Sequence, residues 1–217
     1  MNVIAINGGP RKSWNTVALL EKALEGAASN GANTELIHLY DLNFKGCKSC
    51  FACKRKNNDC DGLCAINDDL KEVLEKIIKC DVLILGSPIY FGNVTGEMRS
   101  FMERLLFANL SYNAGERSTF TGHIASAFIY TMNITETQMH ETNYETIFEQ
   151  YKNLLQIFNG TSEILISNDT FQFKDYTMYN ASRFDAEHKA NVKSEQFPLD
   201  CKKAFEFGAS VTLPSKF

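Results

Sequence analysis

The chain has 217 residues, of which 44% are hydrophobic and 12% aromatic, enough apolar material for the core of a single domain. A formal net charge of −4 offers no electrostatic footprint for a nucleic-acid backbone. No apolar run approaches the ~18 residues that cross a bilayer, and the first residues, MNVIAINGG, lack a signal peptide's basic region. We therefore expect a cytoplasmic protein with no nucleic-acid or membrane partner.

Apolar runs and helical periodicities alternate along the chain. The runs predict five strands, at residues 2–7, 34–39, 81–86, 123–130 and 162–167. The periodicities predict helices from Thr16, after Asp68 as an N-cap, from Thr95 and Gly96, over about Gln138 to Phe158, and from Phe184 with a break at Pro198. Alternating strands and helices predict an α/β fold, a flavodoxin-like three-layer sandwich with a five-stranded parallel sheet in the order 2-1-3-4-5. Ligands of such sheets bind beyond the carboxyl ends of the first and third strands.

The loop after the first strand, NGGPRKSWNT, is a candidate anion site. Its glycines leave backbone amides unobstructed, and the following helix directs free N–H groups and its positive dipole end at the loop. Ser13, Asn15 and Thr16 can add donors, and Arg11 or Lys12 a positive charge. Alternatively, the same residues could form a glycine turn followed by helix-capping residues, with no bound anion. The loop has neither P-loop spacing nor a complete GxGxxG.

The loop after the third strand, GSPIYFGNVTGEMRSFMERL, is a candidate site for a flat ring. Tyr90 and Phe91 stand between Pro88 and Gly92 in a stretch that we predict to be too irregular for a strand or helix. Gly92 and Asn93 could offer hydrogen bonds to ring nitrogens and carbonyls. The two aromatic side chains could instead close the sheet edge as core residues. A phosphate loop beside a ring loop describes FMN better than either loop does alone.

Both loops also resemble motifs of the NADPH-dependent FMN reductase family and its iron-sulfur flavoprotein relatives. GGPRKSWNT resembles the phosphate loop GSPRKxxNT, and the loop after the third strand closely matches the flavin-ring loop. The resemblance runs from Met1 to about Phe107 and more weakly through AFIYTMN. It implies noncovalent FMN, reduction by NADPH or NADH, and a homodimer or homotetramer. One departure is Gly9, where the family usually has serine.

The resemblance also implies site residues. By motif position the cofactor-binding residues are Gly9, Arg11, Ser13, Asn15 and Thr16 at the phosphate and Pro88, Ile89, Tyr90, Phe91, Gly92 and Asn93 around the ring, with Thr131, Met132 and Asn133 as a third contact. No residue is predicted to act as a catalytic acid or base, because the cofactor performs the chemistry. The expected reaction passes electrons from a nicotinamide through FMN to a small-molecule acceptor such as a quinone or flavin. A flavodoxin-type electron carrier without turnover is an alternative.

Five cysteines lie close together after the second strand. Cys47, Cys50 and Cys53 have the C-x2-C-x2-C spacing of a 4Fe-4S cluster, with Cys60 or Cys64 as the fourth ligand. Three alternatives stay open. The segment holds a cluster that exchanges electrons with FMN, with ferredoxin as the partner under that alternative, it binds zinc, or it carries free thiols that pack as small apolar side chains.

We predict one FMN-binding domain over residues 1–217, with a cysteine-rich insertion at about 44–67 and a C-terminal extension at about 169–217. Within the extension, residues 169–179 are rich in aromatic side chains and lack periodicity. They could cover a flavin of a neighbouring subunit, form a dimer interface or cap the sheet, and we favour the interface.

Overall fold

The computed structural model describes residues 1–56 and 62–213. Five parallel strands form one sheet in the order β2-β1-β3-β5-β6, and a short strand, β4, pairs antiparallel with the end of β3. The bounds are β1 (Asn2–Asn7), β2 (Asn33–His38), β3 (Val82–Tyr90), β4 (Asn93–Val94), β5 (Ile124–Thr131) and β6 (Asn159–Ser167). The predicted flavodoxin-like sheet is confirmed, with β4 as an addition.

Helices follow the strands and cover both faces of the sheet. They are α1 (Asn15–Ser29), α2 (Leu70–Ile77), α3 (Gly96–Asn109), α4 (Glu136–Glu141), α5 (Glu145–Leu155), α6 (Ala186–Asn191) and α7 (Phe197–Ser210). A local signal marks the start of α3, where Thr95 Oγ1 caps the helix by accepting from the Met98 N–H at 3.2 Å.

The core has two parts because side chains alternate across each strand. On β1, Val3 and Ala5 pack with residues of α1 and α7 on one face of the sheet. Ile4 and Ile6 pack with residues of α2, α3 and α5 on the other. A strand covered on both faces explains the continuous hydrophobicity of the strand sequences.

The prediction of one long helix from about Gln138 to Phe158 is wrong. α4 ends at Glu141, α5 begins at Glu145, and Asn143 between them has a φ of 54°. Asparagine enters this left-handed region more readily than most residues, so it ends one helix and redirects the chain into the next.

The predicted break at Pro198 is also wrong. Pro198 lies in the first turn of α7, where a missing N–H costs no helical hydrogen bond. The irregularity lies just before it, in a π-helical turn (Val192–Gln196) that joins α6 to α7. Among the described residues, no helix is long and apolar enough to cross a membrane.

Candidate functional site

The carboxyl ends of β1, β3 and β5 open onto a cavity of about 480 Å³, which we call the edge pocket. It lies at the switch point of the sheet, where β2 and β3 extend the sheet from opposite sides of β1. Three strand-end segments line it together with residues 170–172, which we call the strap. The lining ranges are 9–11, 14–16, 88–91, 131–133 and 170–172, with Phe184.

Asn7, the last residue of β1, holds the first loop in shape. Its side chain is fully buried, and its Nδ2 donates to the Gly9 carbonyl while its Oδ1 accepts from the Gly9 N–H, both at 2.9 Å. A Cβ at Gly9 would lie 3.1 Å from Asn7 Oδ1 and 3.2 Å from Pro88 Cδ. Glycine, where the resembled family usually has serine, therefore suits this close approach.

The strap lies directly against the donors of the first loop. Arg11 Nη1 donates to the Gln172 carbonyl at 2.7 Å. Asn15 Nδ2 and Trp14 Nε1 donate to the Phe171 carbonyl at 2.8 and 3.1 Å. Three side chains of the predicted phosphate loop are thus oriented by two carbonyls more than 150 residues away in sequence.

The end of β5 supports the strap from the other side. The Thr170 N–H donates to the Met132 carbonyl at 2.9 Å, and Asn133 Nδ2 donates to Gln172 Oε1 at 2.5 Å. The buried Lys189 Nζ donates to the Asn133 carbonyl at 2.7 Å. Asn133 Oδ1 is buried without a hydrogen-bond partner among the described residues. The pocket therefore contains one acceptor that the described protein residues leave unused.

The segment with Tyr90 and Phe91 between Pro88 and Gly92 was predicted to be irregular, but it is the end of β3 and the turn of a β-hairpin, so that prediction is wrong. Tyr90 of β3 pairs with Asn93 of β4, and the two residues between them, Phe91 and Gly92, have φ of 51° and 79°. Two left-handed residues form the type I′ turn that matches the twist of paired strands. Phe91 is fully exposed at the turn and Tyr90 is 45% exposed. Both aromatic rings lie at the mouth of the pocket instead of in the core.

Most of the predicted site residues line this one pocket. They are Gly9, Arg11, Asn15, Thr16, Pro88, Ile89, Tyr90, Phe91, Thr131, Met132 and Asn133. Thr16 Oγ1 and Thr131 Oγ1 are 2.7 Å apart and buried, which joins the first loop to the end of β5. Ser13, Gly92 and Asn93 are not among the lining residues. Ser13 is exposed on the loop, and Asn93 Oδ1 accepts from Tyr151 Oη at 2.8 Å.

The donor set of the edge pocket fits FMN. One end holds a guanidinium, an amide and the N-terminus of a 15-residue helix, which are groups that bind phosphate. The pocket wall also holds aromatic rings and the unpartnered Asn133 Oδ1, which suit a flat heterocycle that carries an N–H donor. The binding role of each residue stays a prediction.

The cysteine segment forms a second, smaller pocket against α3, which we call the cysteine pocket. Cys47, Cys50, Cys53 and Cys64 all line it, as does Arg104. Burial raises the pKa of the Cys53 thiol, while the charge of the adjacent Lys54 has the opposite effect. Cys60, the other predicted fourth ligand, lies outside the described residues.

The size of the cysteine pocket and the placement of its thiols can be compared with the needs of a zinc ion and of a 4Fe-4S cluster. Residues 1–56 and 62–213 contain no group of three or more His, Cys, Asp or Glu side chains that could hold a metal ion. A zinc ion needs sulfurs at about 2.3 Å from a single centre. The cysteine pocket encloses only about 10 Å³, room for about one water molecule, so the described thiols as they stand fit neither a zinc ion nor a 4Fe-4S cluster.

Sequence reasoning missed several residues of these two sites. Asn7 had a usable signal, because an asparagine before a turn often bonds to the backbone two residues on. The strap lies in the aromatic-rich stretch 169–179, which the sequence marked as a flavin cover, an interface or a sheet cap, and its residues line the edge pocket of this chain. Trp14, Phe184 and Arg104 had no signal, because long-range packing brings them to their pockets.

Three comparisons connect this geometry to known proteins. An iron-sulfur flavoprotein of Archaeoglobus fulgidus is 41% identical over 110 residues, which are 51% of this chain and 51% of that relative. The chain thus spans about half the length of that relative. The NAD(P)H:quinone oxidoreductase from Methanothermobacter marburgensis has a TM-score of 0.70 at 14% identity, covering 100% of this chain and 98% of that one. An FMN-dependent NADH-azoreductase from Bacillus anthracis, solved in complex with FMN, has a TM-score of 0.67 at 13% identity, covering 98% and 99%.

The two structural likenesses show the shared flavodoxin-like fold. The family is shown by a longer match along the sequence itself. The family model for NADPH-dependent FMN reductase matches residues 1–160, which include the first loop, the hairpin and the end of β5. The chain belongs to the NADPH-dependent FMN reductase family.

Proposed function

We propose that this chain is an FMN-dependent oxidoreductase that takes electrons from NADPH or NADH and passes them to a small acceptor, such as a quinone or a second flavin. The edge pocket carries the proposal, because one cavity joins phosphate donors, aromatic rings and an unused amide acceptor. Family membership supports FMN as the cofactor. The names of the two solved structures support a small organic acceptor.

Arg11 and Asn15 would hold the phosphate while they keep their contacts with the strap. Each donates one hydrogen bond to a strap carbonyl. A guanidinium has five N–H donors and an amide has two, so both side chains retain donors for an anion. The strap carbonyls orient these donors, and the N-terminus of α1 adds free backbone N–H groups.

The ring end of the pocket would position the cofactor and leave one side open. Asn133 Oδ1 would accept a ring N–H, and the exposed rings of Tyr90 and Phe91 border the opening through which a nicotinamide or an acceptor would approach. FMN, when bound, accepts a hydride and returns its electrons singly or in pairs. The protein would orient the FMN ring, hold its phosphate and limit the access of water to the site.

Self-association is part of the proposal. Phe91, Met178 and Tyr179 are 108%, 75% and 55% exposed. Large exposed apolar side chains can mark a surface that packs against another chain, which supports the predicted homodimer or homotetramer. Sedimentation equilibrium of the wild type and of Tyr179→Ser tests it, with a monomeric wild type as the contradicting result.

The decisive experiment titrates the purified protein with FMN and with riboflavin, which lacks the phosphate. Arg11→Gln removes a charge-assisted bond of about 1.5–3 kcal/mol, so its FMN Kd should rise by about 10- to 100-fold. Its riboflavin Kd should not change. Lys12→Gln is the matched control, because Lys12 is a neighbouring cation that pairs with Asp41 at 2.6 Å and does not line the edge pocket.

Turnover separates a reductase from an electron carrier. With saturating FMN and a soluble quinone, the wild type should oxidise NADPH or NADH continuously. FMN binding without nicotinamide oxidation would favour a flavodoxin-type carrier. Equal FMN affinity of wild type and Arg11→Gln would remove Arg11 from the phosphate site.

A second function, electron transfer through an iron-sulfur cluster, is favoured by one observation. Cys47, Cys50 and Cys53 have the spacing of 4Fe-4S ligands and border one pocket with Cys64, and this pocket of about 10 Å³ would have to widen around a cluster. The relative named as an iron-sulfur flavoprotein supports this candidate. Anaerobic reconstitution should yield about four irons per chain, in line with a 4Fe-4S cluster.

Two cysteine variants test this second candidate. Cys50→Ser should lose the iron and the broad visible absorbance. Cys80→Ser is the matched control, because Cys80 is buried at the start of β3 and does not line the cysteine pocket. Equal iron content in both variants, or no iron in the wild type, would contradict the cluster.

A further inference from the structure

Lys189, on α6, is a buried cation that contacts the wall of the edge pocket without lining the pocket itself. Only 3% of the residue is exposed. Its Nζ donates to the Asn133 carbonyl at 2.7 Å and to Asp169 Oδ1, and it lies 5.8 Å from the centre of the Phe184 ring. Lysine is almost never buried to this extent unless its charge is paired and hydrogen-bonded. Two of its three partners, Asn133 and Phe184, line the edge pocket.

The carboxylate of Asp169 joins this lysine to the strap. Asp169 stands directly before the strap, has a φ of 56°, and its N–H donates to the Ile134 carbonyl at 2.8 Å. Positive φ is uncommon outside glycine, and it persists where surrounding contacts hold the residue in that conformation. The second carboxylate oxygen lies 2.5 Å from Nε2 of the exposed His188. Lys189 therefore ties the segment after β5 to the start of the strap.

The amide of Asn133 lies between these two segments. Its Nδ2 donates to Gln172 Oε1 of the strap at 2.5 Å, while its backbone carbonyl accepts from Lys189. Because the strap occupies the amide nitrogen, Oδ1 is left buried without a hydrogen-bond partner among the described residues. A buried acceptor without a donor is costly, so an N–H that a ligand brings to it would be stabilised. The C-terminal extension thus fixes both the backbone and the side chain of Asn133.

We propose that Lys189 is a positioning residue that holds Asn133 Oδ1 as the acceptor for the imide N–H of the flavin ring, so that the C-terminal extension sets the specificity of the ring site. The inference rests on the proposed function, since it takes FMN as the occupant of the edge pocket. The family model matches residues 1–160, and Lys189 and the strap lie beyond that range. An oxidised flavin carries its ring N–H on the imide nitrogen, and a site built to bond an N–H rejects an analogue that lacks it.

The test compares riboflavin with riboflavin methylated on the imide nitrogen, which has no ring N–H. Fluorescence quenching measures both Kd values, because Trp14 is the only tryptophan of the chain and lines the edge pocket. The wild type should bind riboflavin at least about tenfold more tightly than its methylated form, since methylation leaves the buried acceptor unpaired. Lys189→Met keeps the apolar stem and removes the donated bonds, so this ratio should fall below about threefold.

Two further variants separate positioning from other roles of the lysine. Lys202→Met is the matched control and should keep the wild-type ratio, because Lys202 is exposed on α7 and pairs with Glu206 at 3.8 Å. The double variant Lys189→Met with Asp169→Asn leaves no unpaired carboxylate behind, and it decides alone if the single variant does not fold. Loss of general stability weakens the binding of both flavins equally and leaves their ratio unchanged.

A low ratio in both lysine variants, with the wild-type ratio in the Lys202 variant, supports the inference. A wild-type ratio near one, an unchanged ratio in Lys189→Met or a ratio restored in the double variant overturns it while FMN binding stands. A wild type that binds neither FMN nor riboflavin overturns the proposed function and the inference together.

Discussion

Replacing Asn7 with alanine should both destabilise the fold and weaken FMN binding. The substitution removes two hydrogen bonds of 2.9 Å to Gly9 and a 3.0 Å contact between Asn7 Nδ2 and His38 Nδ1. Gly9 is buried, so its N–H and C=O would lose their partners in the interior. Each buried group left unpaired costs about 1–3 kcal/mol, so the free energy of unfolding should fall by about 2–6 kcal/mol.

Urea unfolding of apoprotein at pH 7 measures this loss as a lower midpoint at constant m-value. Titration with FMN then reports the loop itself, since a relaxed loop no longer presents its amides and Arg11 together. Asn2→Ala is the matched control, because Asn2 begins the same strand and is exposed. A loss below about 1 kcal/mol, or an unchanged FMN Kd at any loss of stability, would refute the role of Asn7 in the loop.

Two further predictions concern packing and thiol chemistry. A Cβ on Gly208 would lie 1.8 Å from the Ala23 carbonyl, so Gly208→Ala should lower the unfolding free energy by about 1–3 kcal/mol or more. Gly96→Ala, which meets nothing within 4 Å, should change little in the same urea assay. Burial raises the pKa of Cys80 to about 12, so iodoacetamide at pH 8.5 should label the exposed Cys50 and spare Cys80 in mass spectra of native protein. Because the folded state holds the Cys80 proton more tightly, stability should fall by about 1.4 kcal/mol per pH unit from pH 9 toward 12, and Cys80→Ala should flatten this slope.

The sheet was predictable because each strand has a recognisable pattern in its own local sequence. Continuous apolar runs such as VLIL on β3 are typical of strands covered on both faces, and the helices between them carry clear 3.6-residue spacing. The predictions failed where the conformation of a single residue decides whether a helix ends or a hairpin turns. Asn143 and Phe91 both have positive φ, and neither residue type makes that conformation certain from sequence.

The edge pocket was only partly predictable for a related physical reason. The carboxyl ends of the first and third strands meet at the switch point of a doubly wound sheet, so the loops at Gly9 and Tyr90 could be assigned to the pocket from topology, whereas Thr131 was assigned from the family resemblance. The strap reaches the same pocket through carbonyls of Phe171 and Gln172, and a backbone carbonyl has no signature in the amino-acid sequence. The residue types there gave no reason to place this segment against the first loop.

The two pockets are connected through polar contacts along α3 and α5. Tyr151 Oη donates to Asn93 Oδ1 of the hairpin at 2.8 Å and accepts from Arg99 at 3.1 Å. Arg99 Nε lies 3.6 Å from Glu103 Oε1, and Glu103 Oε2 accepts from the Cys47 N–H at 3.3 Å. Each contact is within reach of the next, and hydrogen bonds in such chains polarise one another. A continuous series of polar contacts therefore joins the cysteine segment to the hairpin beside the edge pocket, and Tyr151 is the residue that links α3 to that hairpin.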